Sequence, residues 1–203
     1  MSLPLATPVG LRPLTTPPIP SRSSGPTRLR VPDLLHATDQ AADDVLSGRC
    51  DHLLPDGGVP ETARWFTRIH GDEELDIWLI SWIPGHATEL HDHGGSLGAL
   101  TVLSGSLNEF RWDGRRLRRR RLDAGDQAGF PLGWVHDVVW APRPIVGPAP
   151  TLKVPRPAGG PLQPTLSVHA YSPPLTAMSY YEVTDRNTLR RQRTELTDQP
   201  EGS

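Results

Sequence analysis

The sequence predicts an all-β domain of short antiparallel strands, arranged as a sandwich, jelly roll or barrel and preceded by one short helix. Three observations lead there. First, the 203 residues include 23 prolines and 19 glycines. That is about a fifth of the chain, which argues against a helical bundle, because proline removes a helix hydrogen bond and glycine costs backbone entropy. Second, from residue 64 to residue 181 the apolar residues recur with a period close to two, as on the faces of strands. Third, Gly, Pro and Asp-Gly turn signals interrupt that stretch at short intervals. The length suits one domain with tails.

The elements follow in order. Residues 1–28 are rich in Pro, Ser and Thr, cannot bury enough apolar surface to offset their ordering entropy, and are expected to be a disordered or loosely docked tail. A helix is predicted over 32–46, where Leu34, Leu35, Ala41, Ala42, Val45 and Leu46 recur at helical spacing and Thr38 shares their face. Pro32 suits its first position and Gly48 its end. Around 77–83, Trp78, Ile80 and Trp82 lie on one strand face, and Ile77, Leu79 and Ile83 on the other. Both faces are apolar, so this strand should be buried on both sides. Further strands are predicted at about 97–104, 106–112, 116–123, 134–141, 165–171 and 178–184. Asp113-Gly114 is a hairpin signal. The six tryptophans, at 65, 78, 82, 112, 134 and 140, mark the core. The four arginines at 118–121 read as a solvated strand whose charges point outward or pair with acids, rather than as an RNA patch. Residues 142–164 hold eight prolines and form an irregular insertion, either a lid over the barrel mouth or surface packing. The domain thus spans 29–184, and the polar stretch 185–203 is expected to be a C-terminal tail, a short helix or a frayed end.

Composition narrows the function. With 21 basic and 23 acidic residues the net charge is −2, whereas a generic polyanion binder is usually basic, so no nucleic-acid partner is expected. The single cysteine, Cys50, excludes an intrachain disulfide framework and a multi-cysteine zinc site. No apolar run approaches the roughly 18–20 residues that span a bilayer, and the start of the chain lacks a signal-peptide pattern. A soluble cytoplasmic protein without membrane contact is the expectation.

The histidines carry the chemistry. His91 and His93 flank Asp92, and in a strand positions i and i+2 share a face, so both imidazoles can converge on one ion while Asp92 faces away. Glycines frame them: Gly85, five residues, His91, one residue, His93, four residues, Gly98, six residues, Gly105. Further on come Gly125, five residues, Pro131, one residue, Gly133, two residues, His136. The two patterns resemble the two motifs of the cupin superfamily, which implies a cupin-type jelly-roll β-barrel. Gly98 stands where most cupins carry a glutamate ligand, and Trp140 where an asparagine is usual. The candidate metal ligands are therefore His91, His93 and His136, with no carboxylate. Neutral imidazoles suit iron, copper, nickel or zinc. Three of them leave a divalent ion its full charge and open positions, which favours an anionic bidentate substrate such as a thiolate.

Between about residues 64 and 181 the chain also resembles the cysteine dioxygenases, the thiol dioxygenase branch of the cupins. The resemblance rests on Trp82-x-Pro84-Gly85 ahead of His91-Asp92-His93, on Gly133-Trp134-Val135-His136, on Ser167-x-His169-x-Tyr171 followed by Ser172-Pro173-Pro174, and on Phe66-Thr67-Arg68. It implies Fe(II) as cofactor on His91, His93 and His136, L-cysteine and dioxygen as substrates, cysteine sulfinic acid as product, and a monomer. It implies that Arg68 binds the substrate carboxylate, for which a planar guanidinium fork is well shaped. It also implies a Ser167–His169–Tyr171 relay and a Ser172-Pro173 bond that can be cis. The relay has a rationale of its own, since i, i+2 and i+4 share one strand face and leave Val168 and Ala170 on the other. Three departures stand out. Gly98 cannot form the cysteine–tyrosine cross-link of animal members, as in many bacterial ones, so Tyr171 is expected to be a plain phenol. Phe66 replaces a tyrosine, and the insertion at 142–164 is long. Competing readings are a dioxygenase for 3-mercaptopropionate or cysteamine, a zinc or manganese cupin isomerase or hydrolase, and a non-catalytic metal-binding sensor.

Overall fold

The computed structural model of the protein describes residues 27–142 and 164–200. Helix α1 (Val31–Leu46) is followed by eleven strands: β1 (Phe66–Gly71), β2 (Asp76–Trp82), β3 (His91–Asp92), β4 (Leu97–Ser104), β5 (Ser106–Trp112), β6 (Leu117–Asp123), β7 (Gln127–Phe130), β8 (His136–Trp140), β9 (Thr165–Ser172), β10 (Ala177–Val183) and β11 (Leu189–Leu196). They form two antiparallel sheets, ordered β1-β2-β9-β4-β7 and β11-β10-β3-β8-β5-β6. The two sheets enclose one apolar interior, the all-β jelly-roll barrel expected for a cupin.

Two apolar layers explain why β2 and β9 are buried on both faces. Inside the barrel, Trp78, Ile80 and Trp82 of β2 pack with Leu100, Val102, Leu107, Leu122, Phe130, Val138 and Tyr171. Outside it, Ile77 and Leu79 pack with Ala99, Leu103, Val168 and Ala170 beneath Leu34, Ala41 and Ala42 of α1. The helix thus replaces water on the outer face of the first sheet. It starts at Val31, where the Asp33 carboxylate accepts the Arg30 backbone N–H (2.7 Å), and it stops before Gly48, whose φ of +80° is left-handed. Thr38, fully buried, is satisfied by a small network. It donates to the Leu35 carbonyl and accepts from Thr101 Oγ1, while Gln127 Nε2 donates to both Leu35 O and Thr101 Oγ1, each at 2.9 Å.

The predicted strands are present within a residue or two at each end, and the Asp113-Gly114 turn joins β5 to β6. The arginines at 118–121 are held in the solvated strand β6 by Asp113, Asn108, the Gln127 carbonyl and Asp123 respectively. Gly105 between β4 and β5 takes φ +76°, and a Cβ there would lie 2.1 Å from Thr165 Oγ1, so the turn admits no side chain.

One expectation needs correction. Over residues 185–200 the chain forms neither a helix nor a frayed end. Leu189–Leu196 is a full strand along β10. Its apolar signal is absent because ion pairs and cation–π contacts hold it, with Arg193 over the Tyr180 ring (3.8 Å) and Arg191 over the Tyr181 ring (5.6 Å). Of the 1–28 segment, Thr27 is buried and its hydroxyl shares a hydrogen bond with Ser172 Oγ (2.8 Å). Residues 1–26, and the insertion at 142–164 apart from its two end prolines, lie outside the described residues. Among the described residues, no helix is long and apolar enough to cross a membrane.

Leu34 is fully buried at the centre of the outer layer. Leu34→Ala should lower the unfolding free energy by about 2–5 kcal/mol, read as a shift of the urea unfolding midpoint.

Candidate metal centre

The central strands of the second sheet bring the three predicted ligands together. His91 of β3 lies directly opposite His136 of β8, so their side chains share the inner face, and His93 follows two residues on. The rings pack with centroids 4.9 Å (His91–His136), 5.0 Å (His91–His93) and 5.2 Å (His93–His136) apart. One ligand nitrogen from each lies within 4.8 Å of the others, and all three residues are buried.

Hydrogen bonds on the far side of two rings decide which nitrogen faces inward. His91 Nδ1 lies 2.6 Å from the Glu89 carbonyl, which can only accept, so Nδ1 carries the proton. His136 Nδ1 lies 3.1 Å from Glu109 Oε1, and a carboxylate likewise accepts. In both imidazoles Nε2 is then the unprotonated nitrogen and offers a lone pair. Neutral imidazoles fixed through Nδ1–H to a carbonyl or carboxylate are the arrangement that metal-ligating histidines adopt. The donor set therefore fits a transition-metal ion, with three nitrogens and open positions. Asp92 faces away, as predicted. It accepts from Tyr181 OH (2.6 Å) and from the Gly94 backbone N–H (2.9 Å), which shapes the turn after His93.

The predicted relay residues line the same interior from the first sheet. His169 Nε2 is 3.0 Å from Ser167 Oγ, and His169 Nδ1 is 3.3 Å from Tyr171 OH. Ser167 Oγ also accepts from Trp82 Nε1 (2.8 Å). Tyr171, fully buried, packs on His93 with ring centroids 5.0 Å apart. Gly98 is opposite Tyr171 and Phe130 in the sheet, and a Cβ there would lie 2.8 Å from Phe130 Cδ2 and 3.4 Å from Tyr171 Cδ1. The space a side chain would need is filled by those two rings. Cys50, the one thiol of the chain, is buried after α1, away from this interior. The Ser172-Pro173 bond is cis.

Arg68 occupies the rim. It is opposite Trp78, which is opposite His169, so all three share the inward face. Its guanidinium stacks on Trp78 (4.5 Å), its Nε lies 3.6 Å from Asp76 Oδ1, and its Nη2 donates to the Asp198 carbonyl (3.2 Å). Asp76 is buried opposite Tyr171, and burial pushes its pKa up against the pull of Arg68.

Sequence reasoning missed three groups here. Glu109 receives His136 Nδ1–H and Trp134 Nε1–H (3.2 Å) on one oxygen. Burial opposes its charge, but these bonds outweigh burial and hold its pKa below the usual carboxylate value. Asp76 is the second. The third is Arg193, which binds both oxygens of Glu89 (2.7 and 2.9 Å) beside Tyr180. It walls a cavity of about 370 Å³ with Thr88, Glu89, Met178, Tyr180 and Gln199. Strand parity was the available signal for Glu109, since it stands two residues after inward Leu107 and so shares its face.

Fold and site together define a cupin-type barrel whose three buried histidines can hold a metal ion. A model of the family described as cysteine dioxygenase type I matches residues 60–130. The matched segment, 71 of the 203 residues, contains Arg68, His91 and His93 and agrees with the resemblance to the cysteine dioxygenases. Among solved structures, the chain is similar to an RmlC-like cupin from Shewanella frigidimarina (17% identity, 54% of this chain and 76% of that one, TM-score 0.39). It is also similar to a conserved protein with a double-stranded beta-helix domain from Klebsiella pneumoniae (16% identity, 73% and 94%, TM-score 0.42). A third is the polyketide cyclase RemF from Streptomyces resistomycificus (15% identity, 62% and 76%, TM-score 0.44). No curated protein matches the chain.

A divalent transition metal at about a hundred times its dissociation constant should add about 2.7 kcal/mol to the unfolding free energy. The gain should vanish in His91→Ala, and thermal unfolding with and without metal checks it.

Proposed function

We propose that the protein is an Fe(II)-dependent thiol dioxygenase that converts L-cysteine and dioxygen to cysteine sulfinic acid. The observation that carries this reading is the shared interior: three buried histidines from one sheet face a buried Ser167–His169–Tyr171 row from the other, with Tyr171 against His93. Iron on His91, His93 and His136 would supply dioxygen activation and a cationic seat for the thiolate. Both oxygen atoms go to sulfur, which loses four electrons while dioxygen gains four, so no external reductant is needed.

The remaining work falls to the chain itself. Arg68 takes the substrate carboxylate by exchanging its contacts with Asp76 and the Asp198 carbonyl for a charge-assisted fork. Ser167 Oγ accepts from Trp82 Nε1–H, and in this reading its own proton goes to His169 Nε2. His169 Nδ1–H then donates to the Tyr171 oxygen, and the phenol proton is left to point at the reacting groups. Buried aromatic rings around Tyr171 and His93 exclude water. In this reading the enzyme works in the cytoplasm as a monomer on a small molecule, with no nucleic-acid or membrane partner.

A second reading has its own support. Asp76 already engages Arg68, which favours a thiol without a carboxylate, such as cysteamine, over L-cysteine. Oxygen uptake by anaerobically Fe(II)-loaded protein, offered L-cysteine, 3-mercaptopropionate and cysteamine in parallel with sulfinate quantified, separates the two. Preference for L-cysteine is expected. Arg68→Ala should then raise the KM for L-cysteine about 10- to 100-fold, the worth of a hydrogen bond to a charged group, with a smaller effect on cysteamine. An unchanged KM for L-cysteine would remove Arg68 from the carboxylate role.

A further inference from the structure

We infer that Glu109 is the anionic partner of the metal centre, a positioning residue that acts through His136 to fix its tautomer and strengthen its hold on the metal. The inference rests on the reading that His91, His93 and His136 bind a divalent ion.

Glu109 sits in β5 opposite Val138 of β8, two residues from His136, with Leu107 preceding it on the same inward face. Only 4% of it is exposed, and carboxylates are seldom so buried without a partner. Leu107, Leu122, Ala128 and Val138 form the adjoining core on one side, and on the other Glu109 lines a cavity with Arg111, Arg118 and Arg120, with Arg120 opposite it in the sheet. The hydrogen bonds it accepts come from His136 Nδ1 at 3.1 Å and Trp134 Nε1 at 3.2 Å, converging on Oε1, while the Arg120 charge lies nearby without a hydrogen bond. That oxygen is an acceptor twice over, and it holds His136 with Nε2 unprotonated and turned inward.

Charge makes the position consequential. Among the described residues the ligand cluster consists of three imidazoles, with no carboxylate. None can enter from Gly98, because Phe130 and Tyr171 fill the space beyond it. Asp92, the acid between two ligands, is turned outward by Tyr181 and the Gly94 N–H. Glu109 is therefore the carboxylate coupled directly to a ligand side chain, and its negative charge, passed through Nδ1–H, raises the basicity of Nε2. An amide at this position would keep the shape and an acceptor oxygen but lose the charge.

The test compares wild type, Glu109→Gln and Glu109→Ala, each stripped of metal and titrated with Zn(II) and, anaerobically, Fe(II) against a competing chelator. The expected result is a Kd raised about 10- to 100-fold in both variants, the usual effect of losing such a partner, with the circular dichroism of the metal-free form unchanged. A Kd for Glu109→Gln within twofold of wild type would overturn the inference. Should the variants not fold, nitrogen-15 NMR of metal-free wild type decides it: the proton of neutral His136 is expected on Nδ1, and a proton on Nε2 overturns the inference. A wild-type protein that takes up neither metal overturns the metal reading of the three histidines and this inference with it.

Discussion

The two-sided burial of strand β9 is the constraint on which the rest of the molecule depends. It lies at the centre of the first sheet, between β2 and β4. Its outward residues, Val168 and Ala170, lie under α1, and its inward residues, Ser167, His169 and Tyr171, face the barrel interior. A strand has a period of two, so neither set can move without the other. A slip of one residue would put a histidine beneath the helix and an alanine beside His93. The register with β2 and β4 over nearly the whole length of β9 resists that slip, and the helix supplies the apolar cover that makes the outer face dry.

Burying so many polar side chains is costly unless each is satisfied. Around the ligands the interior meets that requirement locally, with Trp78 Nε1 left as a buried donor that makes no hydrogen bond among the described residues. Trp82 serves Ser167, Ser167 and Tyr171 serve His169, the Glu89 carbonyl serves His91, and Glu109 serves His136. The same bonds that stabilise the polar groups also set their protonation. Nδ1 of His91 and His136 is committed as a donor, which leaves Nε2 for a metal. Packing and chemistry are thus a single arrangement: the groups that pay the cost of burial also select the ligand nitrogen.

The rim follows a different logic. Arg68 and Arg193 are partly exposed, each stacks on an aromatic ring, and each is held by acids or carbonyls on neighbouring elements. These contacts tie β11 and the segment after it to the rest of the barrel. Through Arg68 and the Asp198 carbonyl they also join β1 to the segment after β11, and Arg193 walls a cavity with Glu89 and Tyr180.

By itself the sequence determined the strand alternation from residue 64 onward, the amphipathic helix, and the pairing of His91 with His93 and of Ser167 with His169 and Tyr171. These are local consequences of period and spacing, because side chains two apart on a strand must share a face. The tertiary structure alone decided what meets across the sheets. An acid in a strand, such as Glu109 or Asp76, reads as a solvent-facing residue until the opposite strand supplies a histidine or an arginine. The polar strand β11 reads as a tail because arginine–aromatic contacts and strand pairing, rather than buried aliphatic residues, hold it in place. Those partners lie on other strands, 8 residues away for Asp76 and Arg68 and 27 for Glu109 and His136, and local periodicity gives the face a residue occupies but not the partner it meets there.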